Sequence, residues 1–157
     1  MVHTDAEVAS RVAQVLASFT DVEAPLLEIL HAVQHEFGYI PDAAKPQIAE
    51  ALNLSRAEVH GVVSFYHDFR SEPAGRHILK ICRAEACQAM GGEANARRAQ
   101  EALGIAMGDT TPNGIATLEA VYCLGMCACA PAAMLDGRPV GRVDGDVLET
   151  LLAEAQR

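Results

Sequence analysis

The sequence predicts an α+β chain, α/β in order over its second half: an amino-terminal helical bundle followed by a domain of strands and helices. Two observations predict this. Apolar residues recur at steps of three and four from Thr4 to about Arg70, the period of a helix with one buried face. Beyond residue 75 two short apolar runs, HILKIC at 77–82 and ATLEAVYC at 116–123, each end in cysteine and read as strands.

In the first part, Val8, Val12, Val15, Leu16 and Phe19 form one stripe behind Thr4 and Glu7, the spacing of a capping box. A second stripe, Leu26, Leu30, Val33 and Phe37, follows Pro25 and stops at Gly38, a residue suited to the left-handed closing turn. Pro41 resets the direction, and a third short helix carries Ile48, Ala49 and Leu52. Ser55 and Glu58 form another capping box before Val59, Val62 and Val63. SEPAG at 71–75 is a turn-rich linker. The predicted organisation is therefore a helical bundle over 1–70, the linker 71–75, and a second domain over 76–157.

Within that domain Glu93 to Leu103, closed by Gly104, reads as a helix between the two strands, which favours a crossover unit. AAML and RPVGRV flank Asp136-Gly137, a hairpin turn dipeptide. Asp144 or Asp146 caps a last helix through Val147, Leu148, Leu151 and Leu152. Strand, helix, strand, hairpin, helix is the order of a thioredoxin-like domain with altered first elements.

At 157 residues the chain buries enough surface for a core without disulfide staples. Its 21 acidic residues against 12 basic ones leave a net charge of -9, which disfavours general binding to phosphate backbones or anionic membranes. The opening MVHTDAEVAS lacks a basic segment followed by an apolar one, and no stretch approaches a membrane span. A soluble, cytoplasmic protein is expected. Five cysteines without an export signal point to reduced thiols that bind metal or do redox work.

Four of them are paired as C-x4-C at Cys82 and Cys87 and C-x3-C at Cys123 and Cys127. A [2Fe-2S] cluster needs two thiolates on each of two irons, so two loops leaving neighbouring strands can each supply one iron. Zinc also accepts four thiolates, but structural zinc sites favour C-x2-C turns, and a [4Fe-4S] cluster favours a compact C-x2-C-x2-C run. Neither spacing is present, so a two-iron cluster on Cys82, Cys87, Cys123 and Cys127 is the leading expectation and zinc its rival. Gly91, Gly92 and Gly125 lie where bare backbone can approach sulfur and donate N–H bonds; ordinary turn chemistry is the alternative reading. Cys129 is expected to be a buried small side chain beside the site.

With these positions placed, CRAEACQAMGG, VYCLGMCACAPAAMLDG and ALNLSRAEVHGVVSFYHDF resemble the thioredoxin-like ferredoxin subunit of NADH dehydrogenases, over about residues 20–155. The family includes subunits of complex I, of NAD-reducing hydrogenases and of soluble formate dehydrogenases. HGVVSFYHDFR and CRAEACQ look most like the gamma subunit of the molybdenum-containing, NAD-dependent formate dehydrogenase. The resemblance implies the same four cluster cysteines and no catalytic residue. It implies as partners a flavoprotein subunit carrying FMN, the NAD site and a [4Fe-4S] cluster, and a separate molybdenum subunit. The sequence itself holds no dinucleotide or phosphate-binding glycine motif.

Three weaker signals carry other readings. IAEALNLSRAEVHGVV is similar to a helix-turn-helix, but Arg56, Glu58 and His60 offer little to phosphates in an acidic chain. His31 and His35, one turn apart, suit surface positions better than a metal site. Phe65 and Tyr66 are expected on the fourth helix, packed against the bundle.

Overall fold

A computed structural model of the chain describes residues 4–157. Residues 1–3, part of the stretch read for a leader, lie outside them. The chain divides into two compact units, Met1–Pro73 and Ala74–Arg157.

The first unit is four helices: α1 (Asp5–Ala17), α2 (Leu26–Phe37), α3 (Ala44–Ala51) and α4 (Arg56–Phe65). Their starts follow local chemistry. Thr4 and Glu7 cap α1 reciprocally, and Ser55 and Glu58 do the same for α4, so two orphan backbone donors are satisfied at each end. The predicted stripes meet in one core in which Val12, Leu30, Val33, Ile48 and Val59 are fully buried. Each such side chain contributes about 1.5–3 kcal/mol by leaving water. α3 stops at Ala51, with Leu52 as its capping residue.

Phe65 and Tyr66 depart from expectation. α4 ends at Phe65, Tyr66 turns extended, and the two rings are 73% and 43% exposed. The apolar period continues past the point where the helix stops, so the bundle packs Phe69 instead, 7% exposed. The ring of Tyr66 meets that of Phe69 edge-on with centroids 6.0 Å apart.

The second unit is built on β1 (His77–Cys82), α5 (Glu85–Ala89), α6 (Gly92–Leu103), β2 (Ala116–Val121), β3 (Ala133–Leu135), β4 (Arg138–Val140) and α7 (Gly145–Ala155). The sheet order is β2-β1-β3-β4. β1 runs parallel to β2, from His77 beside Ala116 to Cys82 beside Val121, as a strand–helix–strand crossover requires. β3 pairs antiparallel with β1 and with β4 around the Asp136-Gly137 turn, both residues at positive φ. The core joins Leu79, Ile81 and Leu118 of the sheet to Ala96 and Ala99 of α6 and to Leu148 and Leu152 of α7. Of the two candidate caps for α7, Asp144 accepts the N–H of Val147 at 3.0 Å.

Two sequence expectations are corrected here. β2 ends at Val121, two residues short of Cys123, because Tyr122 is 72% exposed and Cys123 takes φ 107, a value no strand holds. The short helix α5 was not expected; it has no side-chain cap and carries Cys87 on the loop that leaves β1.

Candidate metal centre

Cys82 is the last residue of β1, and its backbone N–H donates to the Ala132 carbonyl at 3.0 Å. The central position of β1 fixes where that thiol sits. α5 returns the chain so that Cys87 lies beside Cys82, both 2% exposed, on an apolar cushion of Ala132, Val121, Leu124 and Met126. Gln88 closes this loop by donating its side-chain amide to the Arg83 carbonyl at 2.8 Å.

The second loop leaves β2 through Tyr122. Cys123 and Cys127 are exposed, with sulfurs 3.8 Å apart. The backbone N–H of Gly125, inside that pair, donates to the Cys123 sulfur at 3.3 Å. A 3-10 turn over Cys127–Cys129 leads into β3.

The two loops meet at sulfur. Burial pushes the Cys82 thiol up, but hydrogen bonds from the N–H of Ala84, the Cys87 thiol and the N–H groups of Cys123 and Leu124 outweigh it, and its pKa is lowered. Donors from the second loop thus reach a sulfur of the first. Burial raises the pKa of Cys87, with its hydrogen bond to Cys82 and the charges of Cys82 and Cys127 adding to the effect. Cys127 is raised by its hydrogen bond to Cys123 and by the charge of Cys123, with Cys82 contributing. Cys87 and Cys127, whose ionisation their neighbours oppose, are thiols that cationic iron would stabilise as thiolates.

Among the described residues, no three His, Cys, Asp or Glu side chains gather about one point as a single-ion site requires. The thiols lie instead as two adjoining pairs, one from each loop. The backbone N–H of Gly125 lies 3.3 Å from the Cys123 sulfur, and such donors offset negative charge on cluster sulfur. The donor set and its surroundings fit a two-iron cluster.

Other expected roles sort plainly. Gly125 is the predicted sulfur donor. Gly92 acts differently: a Cβ there would fall 2.7 Å from the Cys87 carbonyl oxygen and 3.1 Å from that of Cys82, so it lets α6 seat against the first loop. Cys129 is half-buried rather than buried, because its turn opens to solvent at Ala128. His31 and His35 are exposed on α2, and the His31 ring packs 4.9 Å from that of Phe69. Sequence reasoning missed the N–H donors of Ala84, Cys123, Leu124 and Ala132. Main-chain groups carry no residue signature, so only the fold could place them.

Comparison with known proteins agrees with this architecture. A subunit of the NADH-quinone oxidoreductase of Pseudomonas aeruginosa is 40% identical over 134 residues, covering 85% of this chain and 81% of that one. The HndA subunit of the NADP-reducing hydrogenase of Solidesulfovibrio fructosivorans is 34% identical over 143 residues, covering 91% and 84%. Among solved structures, an NAD+-reducing [NiFe]-hydrogenase in its H2-reduced state superposes with a TM-score of 0.73 at 26% identity, over 84% of this chain and 22% of that one. The family described as thioredoxin-like [2Fe-2S] ferredoxin matches residues 12–156. The chain belongs to that thioredoxin-like [2Fe-2S] ferredoxin family, and its cofactor is the [2Fe-2S] cluster for which the family is named.

Proposed function

We propose that this chain is the electron-transfer subunit of an NAD-linked oxidoreductase complex of the kind to which NADH-quinone oxidoreductases and NAD-reducing hydrogenases belong, with Cys82, Cys87, Cys123 and Cys127 as the cluster ligands. The observation that carries the reading is that the two cysteine loops leave the same ends of the paired parallel strands β1 and β2, with Cys87 buried beside Cys82 and the Cys123 and Cys127 sulfurs 3.8 Å apart, which brings two separate loops to one site. Bound there, the cluster supplies a one-electron couple. The chain's own residues give that couple two sides. Cys82 and Cys87 hold the dry side against Ala132 and Leu124, and the exposed Cys123 and Cys127 form the open side. Tyr122 and Met90, 72% and 62% exposed, flank the loops and suit contact with a partner protein. No described helix is long and apolar enough to cross a membrane. Residues 76–157 form the cluster domain in this reading, 71–75 the join, and 1–70 the helical unit. The partner is a flavoprotein binding FMN and NAD, in the cytoplasm.

A second reading, the gamma subunit of a formate dehydrogenase with a molybdenum catalytic partner, rests on the wording HGVVSFYHDFR and CRAEACQ. The relatives from Pseudomonas aeruginosa and Solidesulfovibrio fructosivorans favour the first reading.

The test is anaerobic purification of the chain with its native partners. Two irons and two acid-labile sulfides per chain, a rhombic EPR signal on reduction, and a co-purifying flavoprotein are expected. One zinc and no chromophore overturns the two-iron cluster and with it the electron-transfer role. Reduction of the cluster by hydrogen marks a hydrogenase, reduction by formate marks a formate dehydrogenase, and reduction by NADH but by neither of these marks an NADH-quinone oxidoreductase.

A further inference from the structure

Arg83 follows Cys82 directly and is fixed in three ways. Its backbone N–H donates to the Val121 carbonyl at 2.8 Å, continuing the ladder between β1 and β2. Its carbonyl accepts the Gln88 amide at 2.8 Å. Its guanidinium forks onto Glu93, with Nη2 3.0 and 3.2 Å from the two carboxylate oxygens and Nε 3.3 Å from one of them. Glu93 is the second residue of α6, and the residue before it is Gly92, whose missing Cβ leaves room for the Cys82 and Cys87 carbonyls. The first turn of α6 is therefore seated on the first thiol loop, and its carboxylate meets the cation adjoining the first thiol.

We propose that Glu93 is a positioning residue for the cluster, acting through Arg83: the carboxylate holds and neutralises the one guanidinium that directly follows a cluster ligand. The inference rests on ligation by Cys82. Both side chains are partly exposed, 32% for Arg83 and 49% for Glu93, and an exposed pair of this kind adds little to folding stability. A charge one residue from the ligand lies within about one Debye length, roughly 8–10 Å, of the thiol, so solvent ions screen it only in part. The cluster gains one negative charge when it accepts an electron from a reductant such as dithionite. A neighbouring cation favours that reduced form and a neighbouring anion opposes it, and nearby charge is one of the levers on iron–sulfur potentials.

The test uses the full chain, loaded anaerobically with iron and sulfide, in an EPR-monitored redox titration. Glu93→Gln leaves the guanidinium unneutralised and raises the reduced-to-oxidised ratio severalfold at fixed poise. Arg83→Gln lowers that ratio. The double variant Arg83→Gln with Glu93→Gln returns close to the parent, and Glu93→Asp, which keeps the carboxylate, titrates as the parent does. A simple loosening of the loop moves both single variants in the same direction and overturns the proposal, as do variants that all titrate alike. If the parent chain itself takes up no cluster, the ligand assignment falls and this proposal falls with it; if the parent loads and titrates while Glu93→Gln does not move, only the positioning role is lost.

Discussion

The backbone N–H of Gly125 points at the Cys123 sulfur from 3.3 Å, inside a loop where Gly125 itself holds φ 74. The position therefore has two requirements, an N–H and a left-handed backbone, and two substitutions separate them. Gly125→Ala keeps the donor and meets open space, since nothing lies within 4 Å of the added Cβ. It costs about 1–2 kcal/mol of backbone strain. Expected is a lower melting temperature with an unchanged cluster EPR spectrum. Gly125→Pro deletes the N–H and forces φ negative, so that variant should fail to retain iron. A Gly125→Pro chain with full iron and sulfide would contradict the role given to this hydrogen bond.

Gly92 makes the opposite case, because its backbone is helical and its surroundings are full. Gly92→Ala places a Cβ 2.7 Å from the Cys87 carbonyl oxygen, and backbone cannot yield as a flexible side chain would. Overpacking of this order costs about 1–3 kcal/mol, and the displaced atoms belong to the first thiol loop. Faster loss of iron under chelator challenge is expected, alongside lower stability. Gly61→Ala is the control: Gly61 lies within α4 with nothing within 4 Å of an added Cβ, so it should stabilise by about 0.5–1 kcal/mol. Equal chelation rates for Gly92→Ala and the parent would remove Gly92 from the site.

What was legible in the sequence was what is coded locally. The Thr4–Glu7 and Ser55–Glu58 boxes, the left-handed Gly38 and the Asp136-Gly137 turn all lie where their spacing placed them, because each depends on residues at most four apart. The reach of β1 to Cys82 followed from its apolar run. The illegible features are tertiary. Cys123 sits at φ 107, set by convergence of two loops, so β2 stops earlier than its apolar run suggests. α5 spans five residues without a cap, too short to leave a period, and it exists because Cys87 turns back beside Cys82. Phe65 and Tyr66 continue an apolar pattern that the helix does not, so periodicity placed inside what the fold leaves outside.

Two carboxylates make the helical unit sensitive to acid. Asp42 is held below its ordinary value by the hydrogen bond and charge of the Lys45 ammonium, 2.6 Å away. Glu58 is held below its own by the backbone N–H and hydroxyl of Ser55. Folded-state pKa values that are lowered mean that the ionised carboxylates favour the fold. That contribution is complete above the ordinary glutamate value of 4.5 and disappears as pH falls through the lowered values. The protection of α4 amides, measured by mass spectrometry as exchange relative to the intrinsic rate at each pH, should therefore fall on acidification through that range. Glu58→Gln should exchange faster at neutral pH and show a shallower response, and Ser55→Ala should cost about 1 kcal/mol by removing the cap. An α4 whose exchange, corrected for intrinsic rates, is flat with pH would refute the assignment.

Cys129 gives the sharpest test of which thiols bind. Its N–H donates to the Met126 carbonyl at 2.8 Å and its own carbonyl accepts the N–H of Arg142 at 2.6 Å, so its backbone is committed to the turn that enters β3. Its Cβ stands where a side chain at Gly141 would be, 2.7 Å from the place of that missing Cβ, which puts the residue against the end of β4. The other four cysteines form two adjoining pairs, and hydrogen bonds within each pair and from the second loop to Cys82 connect them. Cys129→Ser should therefore keep two irons and two sulfides per chain with the parent EPR spectrum. Cys87→Ser should lose the cluster, because a hydroxyl in that buried apolar setting is a poor substitute for a thiolate. Loss of the spectrum in Cys129→Ser, with retention in Cys127→Ser, would move the fourth ligand from Cys127 to Cys129 and show that the turn over Cys127–Cys129 presents the other sulfur to iron.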